Sequence, residues 1–583
     1  MTNRFWIVLL ALALFGAFLG LGRGDVVTDN EGQRASPPIT MLRTGDFVTP
    51  MKNGEPYLVK PPLLYWAIAG VYAVAGVSEF AARTPTALAG VALVMCTYFL
   101  ARKEAGERAA RWGALALLTA PYVFERMRYA ELDIPMALAT FLSIVFARNA
   151  TRTDSCGAAR WYCLGSGLAF GAAVMLKGPV PFLFLWAGAI AVFITQSPQM
   201  NRIVAAGLRF SIAAFVIECA LKLLAAAFPN AGTVLNFPVT LVVVMIGWTF
   251  FAVRYGEHRA RWGYWIAAMF IGTMLFLPWG LAVLQRTGWE NLSAMLQNQV
   301  VERTHVASAI NGGWPWYYIT ALGVTLAPWG LLLPFHFSKR EWTRQNQLYR
   351  FSVVMAWLSV LIFSLIAGKE HEYLLPCAPF MMLATGYHIA QIGQGIQARW
   401  METWASYWQV IVLALFAIAL PAVALYCTLR FESYSFLAII WGLTLIGFAA
   451  CLVARRSRTY RNAAIFTATL CAALIYLNGR GEMNQGLRSP RELARMSAEY
   501  VESGYTVQTS EAYPAFEFYA RMPLALERSP ERVRERFAGA EPYLYVTREG
   551  RLSLAGLNDY TVYAGPIDFK ELMLIGNHTV PDE

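Results

Sequence analysis

The chain of 583 residues is 57% hydrophobic and only 15% charged, with a mean hydropathy of +0.43 and a formal net charge of +11. Such a composition excludes an ordinary soluble globular protein and indicates a polytopic membrane protein. The excess of Lys and Arg lies in short loops between apolar runs, where it sets topology, so the positive balance does not signal a nucleic-acid partner.

Arg4 precedes an apolar run from Phe5 to about Leu21. The GLGRGD that follows offers no small-residue cleavage site, which predicts an uncleaved first span with a cytoplasmic N-terminus. Residues 23–82 then form the first outer loop. Its stretch TDNEGQRASPPITMLRTGDFVTPMKNGEPYLVKPPLLYW carries two acids near the start, Asp29 and Glu31. Near its end it carries a cation, Lys60, held by Pro61 and Pro62. The bland reading of the acids is a solvated loop with helix caps. Leu63 to Gly76 is apolar but only about 14 residues long where about 20 are needed to cross, so it predicts an interfacial or re-entrant helix.

Further apolar segments centre near Leu117, Thr140, Gly167, Leu185, Ala214, Val243, Met269, Leu322, Leu358, Met381, Leu413, Trp441 and Thr467, for about 13–15 spans in all. The basic loops, among them Arg102 to Arg111, Arg148 to Arg160 and Lys339 to Arg350, fall on one side only if the Leu63 helix does not cross. From Gly479 the composition becomes that of a soluble domain. RELARMSAEYVESG and SPERVRERF have helical patterns, and YTVQT and PYLYVT are strand-like. The expected architecture is therefore a transmembrane unit over 1–478 and a small extracytoplasmic α/β domain over 479–583. The eight cysteines have no metal-type spacing, which points to neither a disulfide framework nor a zinc site.

Charges at the outer ends of spans are costly and hence purposeful. Asp133, in MRYAELDIPM, begins a span, and a plain helix cap is its ordinary alternative. Lys177, in MLKGPVP, stands where Gly178 and Pro179 interrupt two apolar runs, and snorkelling is its ordinary alternative. Arg303 lies in the long loop from Gln285 to Trp316. In GKEHEYLLPCAP, Lys369, Glu370, His371, Glu372 and Tyr373 crowd the mouth of a span. Those ligand types are adjacent instead of spaced along one helix face, which disfavours a metal, and Tyr373 suits a hydrogen bond to a polar ligand. Amines and a guanidinium beside carboxylates suit a phosphate held while a bond to it breaks.

In order, the DNEGQRA, MLRTGDFVTPMKNGEPYLVKPPLLYWAIA, FAARTPTALAG, RYAELD, LKGPV and KEHEYLLPCAPFMML segments resemble the aminoarabinose transferases acting on lipid A. Those enzymes group with the dolichyl-phosphate-mannose protein mannosyltransferases in the GT-C class. The resemblance implies an inverting glycosyltransferase of the cell (inner or plasma) membrane. It would move a sugar from a polyprenyl phosphate to an acceptor glycolipid, glycan or protein at the outer face, among membrane lipids. It implies Asp29 or Glu31 as the catalytic acid, Asp133 as the supporting acid, and Lys60, Lys177 and Arg303 as phosphate-binding groups. Tyr57, Tyr373 and Lys369 would bind substrate. A monophosphate held in this way needs no cofactor, with a divalent metal left open. Val59 stands where relatives often carry an acid before KPP. The chain also carries about two spans more than the 13 expected of the lipid A enzyme, so the acceptor need not be lipid A. The alternative class is a transporter or flippase of a lipid-linked sugar.

Overall fold

A computed structural model describes residues 4–227, 237–255, 261–296, 317–337, 346–392, 490–548 and most of 400–412 and 560–577, isolated positions aside. The first part is a helical bundle. Among the described residues, four helices, within Glu79–Glu104, Asp133–Arg152, Trp262–Glu290 and Gln347–Ser364, are long and apolar enough to cross a membrane, with shorter apolar helices beside them. The outside of the bundle exposes apolar side chains such as Val8, Phe99, Ile212, Phe250 and Phe270. That is the surface a hydrocarbon solvent selects, because lipid gives no reason to hide them.

The chain begins with α1 (Phe5–Phe18). The Arg128 guanidinium donates to the carbonyls of Gly16 at 2.6 Å and Leu19 at 2.7 Å, satisfying groups that the end of α1 leaves unbonded. Two short helices follow, α2 (Asp29–Ala35) and α3 (Pro37–Thr44). Thr28 caps α2 by accepting from the Glu31 N–H, and Pro37 suits the first turn of α3, where no N–H is needed. The hairpin β1 (Met51–Lys52) and β2 (Glu55–Pro56) leads to α4 (Leu63–Ala75), which at 13 residues matches the short helix expected there.

Next come α5 (Glu79–Glu104), α6 (Glu107–Thr119), the short α7 (Pro121–Arg126), α8 (Asp133–Arg152) and α9 (Cys156–Lys177). They are followed by α10 (Val180–Gln196), α11 (Met200–Ala227), α12 (Phe237–Tyr255) and α13 (Trp262–Leu296). Small residues let helices touch by their backbones: a Cβ on Gly386, in the helix Ala378–Gln391, would lie 2.2 Å from the Gly113 nitrogen of α6. The break between α9 and α10 falls where LKGP predicts it. Gly178, with φ of 67°, closes α9 in a conformation that other side chains resist.

The C-terminal unit is the α/β domain anticipated from the alternation of patterns. Its strands are β3 (Thr506–Thr509), β4 (Ala525–Leu526), β5 (Tyr543–Arg548), β6 (Thr561–Ile567) and β7 (Leu572–Gly576), in the order β4-β3-β5-β7-β6. The first three run parallel, while β7 lies antiparallel to both β5 and β6. Helices span Arg491–Glu502, Pro514–Ala520 and Pro530–Ala538, the last capped by Ser529.

Nothing in the residue pattern of this domain signals that it grips the loop ahead of α4. The Tyr519 hydroxyl accepts from the Val26 N–H at 2.7 Å, and the Glu517 carboxylate accepts from the Asn53 N–H at 2.7 Å. Arg491 pairs with Asp25 at 2.6 Å and also with Glu79. At Gly32 on α2, a Cβ would lie 2.5 Å from the Ala515 nitrogen and 2.7 Å from the Pro514 carbonyl carbon. Both obstacles are backbone and cannot swing aside, so Gly32→Ala is expected to loosen the docked domain by about 1–3 kcal/mol. Limited proteolysis of the full chain in detergent, with faster cleavage ahead of residue 490 in the variant, measures this. An unchanged digestion pattern would remove the close approach as a constraint.

Candidate functional site

Several of the residues to which the sequence points lie at the end of the bundle where α8 begins and α9 ends. Asp133 opens α8 and Lys177 closes α9, and the two form a direct ion pair in which Asp133 is 6% and Lys177 8% exposed. A buried pair of this kind is held by geometry, since desolvation costs each ion several kcal/mol. The Lys177 ammonium also lies 5.4 Å from the centre of the Tyr373 ring. Tyr373 belongs to the 3₁₀ turn His371–Cys377, so the YLLP segment reaches the same point.

A second layer surrounds this pair. Glu372 acts on the Lys177 ammonium by its charge, and its Oε2 accepts from the Tyr122 hydroxyl at 3.0 Å. The Arg126 guanidinium lies 4.8 Å from the Tyr122 ring and is ion-paired with Glu131. In the turn ahead of α8, burial pushes the Glu131 carboxyl above the usual carboxylate range, with Asp133 and Glu372 adding to the shift against the pull of Arg126.

Glu31 lies deeper. It is fully buried and forms a two-pronged pair with Arg83, at 2.7 Å from Nε to Oε1 and 3.1 Å from Nη2 to Oε2. Its Oε1 also accepts from the Ala130 N–H at 3.2 Å. The same guanidinium donates to the carbonyls of Leu21, Arg23 and Gly24 at 3.0 to 3.1 Å. Both Glu31 oxygens are thus committed to a brace that ties α2 to α5 and to the turn carrying Tyr129, Ala130 and Glu131.

Lys60 is 8% exposed and lies between two anchored residues. On one side Leu58 packs in a cluster with Met175, Trp279 and Val283, and on the other Leu64 shares a cluster with Leu132 and Leu176. The neighbours of Lys60 therefore pack against the neighbours of Asp133 and Lys177. The Tyr57 hydroxyl donates to Gln33 at 2.6 Å, and Lys52 stands 4.7 Å over its ring, which fixes Tyr57 against α2. Arg34 donates to the Tyr65 hydroxyl at 3.2 Å, and desolvation is outweighed by its two tyrosine neighbours, so its charge is held firmly.

The structure places Glu31, Lys60, Asp133, Lys177, Tyr57 and Tyr373 at one end of the molecule. Lys369 points elsewhere: its ammonium caps the helix Gln347–Ser364 by donating to the carbonyls of Ser364 at 2.6 Å and Ile366 at 2.5 Å. Asp29 begins α2, and its side chain lies outside the described part. Arg303 lies outside the described residues altogether. Arg83, Tyr122 and Arg126 lie outside the set of residues to which the sequence points, and Glu131 is marked there only as the acid two residues before Asp133. Their signal was available only as charge or hydroxyl beside apolar runs, with partners 5 to 250 residues away. Among the described residues, no three His, Cys, Asp or Glu side chains are close enough together to hold a metal ion.

The chain is similar to several known proteins. The family model for dolichyl-phosphate-mannose-protein mannosyltransferases matches residues 59–220, which contain Lys60, Asp133 and Lys177. An uncharacterized protein of Aquifex aeolicus is 25% identical over 72% of this chain and 70% of its own length. The undecaprenyl phosphate-alpha-4-amino-4-deoxy-L-arabinose arabinosyl transferase of Shewanella sediminis is 23% identical over 63% of this chain and 57% of its own length. Its counterpart from Pseudomonas paraeruginosa is 26% identical, over 66% and 59%. The chain thus spans less than two thirds of those transferases. Among solved structures, ArnT from Cupriavidus metallidurans bound to undecaprenyl phosphate shares the fold, with a TM-score of 0.72 at 18% identity over 100% of both chains.

Proposed function

We propose that this chain, a GT-C membrane protein of the group that joins the aminoarabinose transferases to the protein mannosyltransferases, is an inverting glycosyltransferase that uses a polyprenyl-phosphate sugar. Its acceptor is a glycolipid, glycan or protein, and the reaction takes place at the outer face of the cell membrane. The observation that carries this reading is the convergence of the Asp133–Lys177 pair, the Tyr373 ring and the Lys60 segment at one mouth of an apolar bundle. A lipid tail can lie along such a bundle while a charged headgroup sits at its mouth.

The reaction is a displacement at the anomeric carbon. The acceptor oxygen bonds to that carbon as the bond to the phosphate oxygen breaks, and the polyprenyl phosphate leaves from the opposite face. Lys177 and Lys60 hold the phosphate and offset the charge that grows on it, and Arg303 is the third cation proposed for that task. Asp133 keeps Lys177 in place and charged. Glu31, with both oxygens engaged by Arg83 and Ala130, serves as a brace for the turn ahead of α8. Asp29 is then the member of the acidic pair left as a direct proton acceptor, and Tyr57 and Tyr373 line the sugar.

The test uses the purified full chain in lipid nanodiscs with undecaprenyl-phosphate 4-amino-4-deoxy-arabinose and a panel of acceptors: a phosphorylated glycolipid, an oligosaccharide and a peptide. Mass spectrometry is expected to find free undecaprenyl phosphate together with one glycosylated acceptor, and NMR to find its anomeric configuration inverted. The same donor crossing sealed vesicles intact, with no product, would replace the transferase with a transporter.

A further inference from the structure

The buried cations around the site differ in what they face. Arg83 is paired with Glu31, Arg126 with Glu131 and Lys177 with Asp133, so a carboxylate already offsets each of those charges. Arg128 is held by the carbonyls at the end of α1. Arg34, in the last turn of α2, is as deeply placed at 7% exposure, yet no carboxylate among the described residues is ion-paired with it. Its partners are two neutral phenols, Tyr65 at 3.2 Å and, more weakly, Tyr57 at 3.5 Å, and both bonds leave from Nη1. Its Nε and Nη2 donate to no described residue, and neither is sealed from solvent. A guanidinium kept inside a protein without a counter-ion is costly, and a planar fork with donors to spare matches the oxygens of a phosphate. Tyr57 and Tyr65 stand on either side of Lys60 in the chain, so Arg34 grips both ends of the segment that carries that lysine.

Resting on the transferase reading, we infer that Arg34 is a binding residue for the phosphate of the polyprenyl carrier, acting beside Lys60. The donor is a phosphodiester with a single negative charge. When the sugar leaves, the electron pair of the broken bond stays on the phosphate oxygen, and the resulting monoester carries close to two charges at neutral pH. Lys177 meets that extra charge with its own already shared by Asp133. Arg34 brings a charge that no carboxylate shares, and it therefore favours the carrier as it is released over the carrier still bearing its sugar.

The experiment measures binding of undecaprenyl phosphate, and of undecaprenol as the uncharged control, to the full chain in nanodiscs, together with thermal unfolding of the unliganded protein. Arg34→Met is expected to weaken undecaprenyl phosphate binding by about 10–100-fold, the loss of a charge-assisted hydrogen bond, with undecaprenol binding unchanged. The unfolding midpoint of the unliganded variant is expected to hold or rise, because the change removes a buried charge that has no counter-ion. Arg34→Gln keeps a donor for the two tyrosines without the charge, and it carries the test should the Met variant fail to fold. Wild-type affinity for undecaprenyl phosphate in these variants overturns the assignment. A lowered midpoint with binding unchanged makes Arg34 a strut between α2 and α4. Equal losses for undecaprenyl phosphate and undecaprenol also overturn it, since the phosphate is then not what Arg34 holds. Binding is read on the carrier alone, so failure of every acceptor to react refutes the transferase reading without moving this result.

Discussion

Lys177→Met is expected to reduce transfer by about 10²–10³-fold, the loss that follows when one donor aimed at a developing negative charge is removed. It is also expected to cost about 3–5 kcal/mol of stability, because Asp133 is left buried without its cation. The two effects separate in the double variant Lys177→Met/Asp133→Asn. Removing both charges removes the uncompensated ion, so thermal unfolding in detergent should return most of the way to the wild type while transfer stays absent. A double variant that regains activity would show the pair to be a structural strut with no hold on the phosphate.

The second large effect is expected at Arg83. Arg83→Met strands Glu31 in the interior and releases the carbonyls of Leu21, Arg23 and Gly24 that the guanidinium holds. A loss of about 3–5 kcal/mol follows from the orphaned charge. Replacing both partners with apolar residues, Arg83→Met/Glu31→Leu, should recover stability, since a buried ion pair is often no better than hydrocarbon of similar volume. Transfer should remain low in both variants, because the turn that carries Glu131 into α8 loses the Glu31 contact to the Ala130 N–H. Thermal unfolding and donor-binding measurements on the two variants decide the matter. An Arg83→Met protein as stable as the wild type would remove the brace.

How far the sequence reveals this arrangement depends on the distance between partners. Asp133 and Lys177 are legible because each marks a helix end. An acid before IPMALAT and a lysine before Gly178 and Pro179 are local signals, and the helices stop and start where those residues say. The 13-residue α4 is legible for the same reason, through its length. Glu31 is a different case. Its neighbours in sequence suggest a solvated acid, while its actual partner lies 52 residues on, in a segment that otherwise reads as an ordinary helix. Lys369 resembles a ligand-binding cation only because its three carbonyl partners belong to the end of a helix, and sequence does not show where carbonyls point. The α/β pattern of the C-terminal domain was visible, but its docking surface was not. That surface is the short helix Pro514–Ala520, whose apolar residues suit an interior equally well.

The docking of that helix also bears on how the protein is made. Val26 and Tyr519 are 493 residues apart and Asn53 and Glu517 are 464 apart, yet each pair is joined by a hydrogen bond. At a synthesis rate of about 5–20 residues per second, the loop leaves the ribosome roughly 25–100 seconds before the residues that close over it exist. Until then the newborn chain carries a half-finished mouth. A transcript cut short anywhere upstream of residue 514 would yield an inserted protein lacking that closure, and the missing piece supplied as a separate polypeptide would be the natural way to complete it.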